Sequence, residues 1–265
     1  MLLSNLNYVI KKIKKSKLCT YPYPHILIKN FIPKKLFNEF VKAFPSYYEL
    51  EGNNVFTQSK SGTKRGIFYE SRLFKKIYSK NKNFRNVIKI FKEIENEINN
   101  KFKEKIAENV DEKYSYSKTA FSCSLSSSIK GYLKSPHIDR REHKFHFLYY
   151  SGVQKKSGGE VCLWHSKQNK IYDVFPSKKN IKKAKKILPI PNSCLITLNT
   201  PFAYHSVNEY TGSKERKYFY AVYDFPAQTN NYKLQERKKG NNDNRFWINQ
   251  VKVFSKKRKL NFINE

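Results

Sequence analysis

Three residues stand out for the chemistry they could perform together. In the run SPHIDRREHKFHFLYY, His137 and Asp139 are two residues apart at the edge of a strand-like stretch. The period of two along a strand puts both side chains on one face, where they can share an ion. Far downstream, in TPFAYHSVNEY, His205 follows another strand-like run and can supply a third donor. Two imidazoles and one carboxylate on one side of a metal form a facial triad suited to non-haem Fe(II), with three positions left for a cosubstrate and dioxygen. Arg216 lies eleven residues after His205, across an apparent hairpin turn at Tyr210, Thr211, Gly212 and Ser213, and just before the aromatic run YFYAVYDF. Its planar, permanently charged guanidinium is suited to grip the distal carboxylate of a bound dicarboxylate through two parallel hydrogen bonds.

The remaining histidines lack such a setting. His143, His146 and His165 read as surface or sheet residues outside the site, and His25 reads as structural. Arg140 and Arg141 follow Asp139 directly; they could meet an anionic substrate at the mouth of the site, or form a solvated turn. Gly158 and Gly159 read as a turn or bulge. Cys19, Cys123, Cys162 and Cys194 are widely spaced without a CxxC pair, so neither a disulfide framework nor a zinc site is indicated.

These residues need a scaffold, and the hydrophobic pattern predicts one. Leu6, Val9, Ile10 and Ile13 have helical spacing within residues 1–20. The stretch PYPHILIKNFIPKKLFNEFVKAFPSY reads as a strand over His25 to Ile28, then a helix opened by Pro33, striped by Leu36, Phe37, Phe40, Val41 and Phe44, and closed by Pro45. A longer helix is predicted by Phe84, Val87, Ile88, Phe91, Ile94, Ile98, Phe102 and Ile106. From about residue 119 the pattern becomes short β-type runs: FSCSLSSSIKGYL, KFHFLYYSG, GGEVCLW, KIYDVF, SCLITLN and YFYAVYDF. That density of strands implies a sandwich or barrel. Residues 166–186, with KKNIKKAKK, read as a solvated inserted loop. The expected organisation is one integrated domain in three parts: residues 1–118 as an N-terminal strand and helices packing on the core, 119–227 as the β core, and 228–265 as a basic extension. Within that extension Phe246, Trp247, Ile248, Val251, Val253 and Phe254 suggest a part that folds back.

At 265 residues, with 39% hydrophobic and 15% aromatic content, the chain can bury a sizeable core and is not disordered. No signal-type or spanning apolar stretch is present, so a cytoplasmic location is expected. A net charge of +32 ordinarily points to a polyanion partner. Here the cations are overwhelmingly Lys beside abundant Asn and Ile, as AT-rich coding would impose, whereas Arg is the residue suited to bidentate phosphate recognition. Nucleic acid is therefore the disfavoured partner. Nothing in the sequence fixes an oligomeric state.

On GYLKSPHID, the GGEVCLW that follows KFHFLYY, and HSV at 205–207 with Glu215 and Arg216 beyond, the chain resembles the 2-oxoglutarate/Fe(II) oxygenase superfamily and its prolyl-4-hydroxylase-like branch. PYPHILIKNFIPKKLFNEFVKAFP also looks like the N-terminal segment of bacterial and phage members, and the resemblance spans roughly residues 22–226. It implies a mainly β fold with flanking helices (α+β) around a double-stranded β-helix, or jelly-roll, core. It also implies Fe(II), 2-oxoglutarate and O2, with ascorbate as a supporting reductant and succinate and CO2 as coproducts. By position it makes His137, Asp139 and His205 the iron ligands and catalytic centre, and Arg216 the anchor of the 2-oxoglutarate C5 carboxylate. Many members place Ser or Thr two residues after that Arg, where this chain has Tyr218; Tyr132 matches a Tyr often near the cosubstrate, and Tyr149 or Leu148 would face the pocket. The implied reaction is hydroxylation of a C–H bond in a small-molecule, sugar-type or peptidyl substrate. The alternatives are a nucleic-acid demethylase, whose usual second Arg is replaced by Val222, and a jelly-roll binding module without turnover.

Overall fold

The long apolar stripe of the N-terminal half forms the helical wall of the molecule, here described from a computed structural model. The structure describes residues 2–50, 56–57, 62–115, 117–153, 156–168, 171–225 and 235–236. Phe84, Val87, Ile88, Phe91, Ile94, Ile98, Phe102 and Ile106 are all buried, as their spacing predicts. They lie on α4 (Lys82–Glu93), α5 (Glu95–Lys101) and α6 (Lys103–Asn109). The amide-to-carbonyl ladder crosses both junctions, from Ile98 to Ile94 and from Phe102 to Ile98, each at 3.0 Å. The three pieces thus act as one rod with two bends. Asn81 caps its start by accepting from the Phe84 amide at 2.8 Å.

Before the rod come α1 (Leu2–Lys15), α2 (Lys34–Lys42), which begins directly after Pro33, and α3 (Arg72–Lys80), and after it α7 (Glu112–Ser115). Two sheets complete the unit. The larger joins β1 (His25–Lys29), β10 (Ser193–Leu198), β6 (His143–Gly152), β12 (Arg216–Asp224), β4 (Ala120–Ser128), β3 (Lys64–Phe68) and β2 (Phe56–Thr57) in that order. The smaller joins β5 (Lys134–His137), β11 (His205–Val207), β7 (Val161–Ser166) and β9 (Ile181–Ile187). A two-residue β8 (Ile171–Tyr172) is all that forms from KIYDVF.

Period-two alternation divides the larger sheet. Phe145, Phe147 and Tyr149 of β6, Ile196 and Leu198 of β10, and Phe219, Ala221 and Tyr223 of β12 face the helices in one core. Leu148 and Tyr150 of β6, Leu195 of β10 and Tyr218 of β12 face the other way and meet Val161 and Leu163 of the smaller sheet. The sheets therefore close on each other as a jelly roll, with helices covering the outside of the larger one.

Two expectations change, and one open alternative is resolved. The lysine-rich run is a strand: β9 pairs with β7 and buries only Ile181 and Ile187 at its ends, while the lysines between guard a sheet edge. The apparent hairpin at 210–213 is a corner between sheets, since β11 belongs to the smaller and β12 to the larger. Buried Tyr210 holds that corner by donating to the Lys214 carbonyl at 2.6 Å. Tyr149 faces the helices; Leu148, its neighbour, faces the interior. The residues proposed to fold back near the C-terminus lie outside the described residues.

Phe91 touches Phe31, Phe147, Tyr149 and Phe219 at centroid distances of 4.8–5.8 Å. Phe91→Ala should cost about 3–5 kcal/mol, read as a lower urea midpoint at unchanged slope.

Candidate metal and carboxylate site

β5 and β11 are neighbours, and His137 and His205 are directly paired across them. Their rings lie 4.3 Å apart, centroid to centroid. Asp139, just past the end of β5, places Oδ1 3.4 Å from His137 Nε2 and Oδ2 3.5 Å from His205 Nε2. One donor atom from each of the three falls within 4.8 Å of the others. Each imidazole is oriented by its backbone: Nδ1 of His137 lies 2.8 Å from the Ser135 carbonyl and Nδ1 of His205 lies 3.1 Å from the Ala203 carbonyl. A carbonyl can only accept, so Nδ1 carries the proton and the Nε2 lone pair points to the shared centre. Burial lowers both imidazoles, His205 to about 4, so they are neutral donors at neutral pH. Burial opposes ionisation of Asp139, but His205, His146 and His137 outweigh it and hold the carboxyl well below its usual range. Two neutral nitrogens and a carboxylate converging in this way fit a divalent iron.

Three further residues complete this end. His146 is on the inner face of β6, with Nδ1 3.3 Å from Asp139 Oδ2 and 3.1 Å from Thr197 Oγ1. The expectation that it lies outside the site is corrected: it shares strand parity with Leu148 and Tyr150, so it must point inward. Burial pushes it down to about 4. Tyr220 donates to Asp139 Oδ2 at 3.0 Å. It follows Arg216 and Tyr218 at steps of two, a signal already present in RKYFYAVYD. Tyr23, from the segment before β1, lines the same cavity with His146, Leu148, Leu163, Leu195 and His205; no pattern in the sequence announced it. His143 instead pairs with Asp224, and His165 packs on Tyr21. Arg140 and Arg141 sit on the loop after Asp139, whose backbone Asn199 holds through the Arg140 and His143 carbonyls at 2.7 and 3.0 Å.

The other end of the interior is built around Arg216, which is 1% exposed. Its guanidinium stands 4.7, 5.3 and 5.9 Å from the ring centroids of Tyr218, Tyr150 and Tyr132. Nε donates to the Gly159 carbonyl at 3.2 Å, whereas Nη1 has no hydrogen-bond partner among the described residues. Gly158 and Gly159 both have positive φ, 71° and 72°. A Cβ on Gly159 would stand 2.9 Å from Arg216 Cδ, and one on Gly158 would collide with the Glu209 carbonyl. The glycine pair is the turn that lets backbone lie against the arginine. A buried guanidinium with an open donor fits one end of a carboxylate.

No family model matches this sequence, and no curated protein does. Solved structures do match. A prolyl-4-hydroxylase from Pseudomonas putida is 12% identical, with a TM-score of 0.51 over 83% of this chain and 98% of that one. A Trichoplax adhaerens prolyl hydroxylase, solved with a hypoxia inducible factor oxygen degradation domain peptide, is 15% identical, with a TM-score of 0.52 over 84% and 91%. Prolyl 4-hydroxylase from Phytophthora capsici is 11% identical, with a TM-score of 0.55 over 96% and 75%. The fold is that of the prolyl 4-hydroxylases. At these identities the likeness is one of architecture, and the prolyl 4-hydroxylase fold is carried here by different side chains. A tyrosine, Tyr218, stands two residues beyond the arginine, and a third histidine, His146, contacts the aspartate.

His137→Ala or His205→Ala should weaken Fe(II) binding by orders of magnitude with the fold retained, since each removes one of three protein donors. Calorimetry with Fe(II), or Mn(II) as a stable probe, reads this; one tightly bound ion in either variant would refute the ligand set. A second outcome concerns pH. His25, His137, His146 and His205 all have pKa values lowered by burial. Between about pH 6.5 and about pH 4 the unfolded chain therefore binds more protons than the folded one. Stability is fully present above that window and lost as pH falls through it. The Tm of metal-free protein should fall from pH 7 to pH 5, with a shallower slope in His146→Gln.

Proposed function

We propose that the protein is an Fe(II)- and 2-oxoglutarate-dependent dioxygenase that hydroxylates a C–H bond of a small-molecule, sugar-type or peptidyl substrate. One observation carries this reading. His205 and His146 line a cavity with Leu148, Val161, Leu163 and Leu195, and the same apolar cluster reaches Tyr150 and Tyr218, the rings that flank the open Arg216 donor, so a metal-type donor set and a buried cation border one apolar interior. When bound, iron, 2-oxoglutarate and O2 supply the oxidising power, with succinate and CO2 as coproducts. The chain's own contribution is positional.

His137 and His205 present fixed lone pairs, and Asp139 presents a carboxylate restrained by Tyr220 and His146. Arg216, with Tyr132, Tyr150 and Tyr218 around it, would hold the far carboxylate of 2-oxoglutarate. Leu148, Val161, Leu163 and Leu195 exclude water along the path, which strengthens each charge interaction. Peptide substrates are supported by the Trichoplax prolyl hydroxylase, whose structure contains a peptide. Arg140 and Arg141, on the loop beside the triad, are the candidates for contacting an anionic group on the substrate. Nucleic-acid demethylation lacks comparable support, because Val222 is a buried aliphatic residue of β12 where that branch uses a second Arg.

Succinate release from 2-oxoglutarate, with Fe(II) and ascorbate present and candidate substrates screened in turn, tests the reading. Arg216→Ala should raise the KM for 2-oxoglutarate by a hundredfold or more, from the roughly 3–5 kcal/mol of breaking a buried ion pair, while iron occupancy stays intact. An unchanged KM would place the cosubstrate elsewhere.

A further inference from the structure

Lys64 is buried beside an arginine that is itself buried. It is 5% exposed and belongs to β3, outside the strands that carry the triad and Arg216. Its register partner on β4 is Ser128, and the partner of Ser128 on β12 is Arg216. The three residues form a row across adjacent strands. In the next inner row, Tyr218 pairs with Ser126. Lys64 Nζ stands 5.3 Å from the Tyr218 ring centroid, and the Arg216 guanidinium stands 4.7 Å from the same ring. The Tyr218 hydroxyl meets the side chains of both Lys64 and Ser126, whereas the Ser128 hydroxyl, like Arg216 Nη1, is buried without a hydrogen-bond partner among the described residues.

Two cations stripped of water around one phenol repel each other. Burial lowers the Lys64 ammonium; Tyr218 opposes this most strongly, by charge and by a hydrogen bond, while the charges of Lys134 and Arg216 add smaller lowering effects. Were Lys64 only a strut tying β3 to the barrel, the open guanidinium nitrogen and the Ser128 hydroxyl in its own row would stay without an acceptor or donor. A carboxylate placed among them relieves the repulsion and gives those groups an acceptor.

On the reading that this interior takes 2-oxoglutarate, we infer that Lys64 is the second cation of the carboxylate grip, a positioning residue that holds Tyr218 against Arg216 and adds charge at the distal end. Selectivity for a dicarboxylate over a monocarboxylate 2-oxo acid is then set in part by the N-terminal strand. The jelly-roll strands alone do not complete the anchor.

The test is calorimetry on the full chain with Mn(II), without oxygen, comparing 2-oxoglutarate with 2-oxobutanoate, which keeps the 2-oxo acid but lacks the distal carboxylate. Lys64→Met removes the charge at similar length. It should weaken 2-oxoglutarate binding about tenfold or more, leave 2-oxobutanoate and Mn(II) affinities unchanged, and be largely rescued by Lys64→Arg. Equal weakening of both acids would reduce Lys64 to a structural role, and unchanged 2-oxoglutarate affinity would remove it from the grip; either result overturns the inference. Should the methionine variant fail to fold, Lys64→Gln carries the same comparison. If wild-type protein does not bind 2-oxoglutarate at all, the functional reading itself fails. If Arg216→Ala loses that binding and Lys64→Met does not, only the present inference fails.

Discussion

Burying the Arg216 guanidinium costs several kcal/mol unless its surroundings compensate, and much of the interior is arranged around that cost. Three tyrosine rings, from β6, β12 and the segment before β5, present their faces or edges to it. The Gly159 carbonyl accepts from Nε, and this requires two successive residues at positive φ with no Cβ to intervene. Tyr210 fixes the corner that delivers Arg216 to the start of β12, and its backbone is tied to Tyr132 and Gly131 at 2.8 and 2.7 Å. The charge is thus caged from four chain segments, yet Nη1 stays open. A cage that was only structural would have closed on it.

The metal end follows the opposite logic. Its members are neutral or anionic and have few rotational choices, because His137 and His205 each spend one nitrogen on a carbonyl two residues back along the chain. Adjacent β5 and β11 then set the spacing through backbone hydrogen bonds. A ladder is stiffer than any side-chain contact, so the triad is held by the smaller sheet, while the larger sheet supplies Tyr220 and His146 to its carboxylate. Opposite poles on opposing sheets put the distance between them under the control of sheet packing. That is why the packing behind the larger sheet matters to the site: Phe31 and Phe91 press on Tyr149 of β6 from behind. Asn192 locks β1 to the same sheet through both Ile32 backbone groups and the Tyr149 hydroxyl.

Much of this was legible in the sequence because period two and period 3.6 are local properties. The stripe from Phe84 to Ile106 and the aromatic strand that Arg216 opens could be read from spacing, as could the donor types; β5 and β11, which carry His137 and His205, are too short to show a period. What could not be read depended on closure. His146 seemed an ordinary sheet residue because HKFHFLYY is apolar or aromatic on both faces, and only the position of the opposing sheet says which face is the interior. The same ambiguity left Tyr149 and Leu148 unresolved. Tyr23 and Lys64 reach the interior from segments more than a hundred residues from Arg216, and no periodicity reports such a meeting. The β9 strand was hidden because its burial is confined to Ile181 and Ile187, leaving a lysine run that reads like a loop.

The charge of +32 takes its meaning from where the lysines sit. Those of β9 are mostly exposed on a sheet edge, where a row of solvated ammonium groups prevents another strand from adding. Charge at such positions is screened within about 8 Å at physiological salt, so it says little about a bound partner. Lys64 and Lys144 differ: each is buried with its pKa lowered first by burial, Lys144 to about 8 while donating to the Ser115 carbonyl at 2.9 Å. Lys134 acts at both poles, since its charge reaches Lys64 and also His137, Asp139 and His205. In a water-poor interior these few cations set a potential that the many surface lysines cannot. On the proposed function, that potential would favour a short dianion between the triad and Arg216, and the electrostatics at the site come from a small minority of the basic residues.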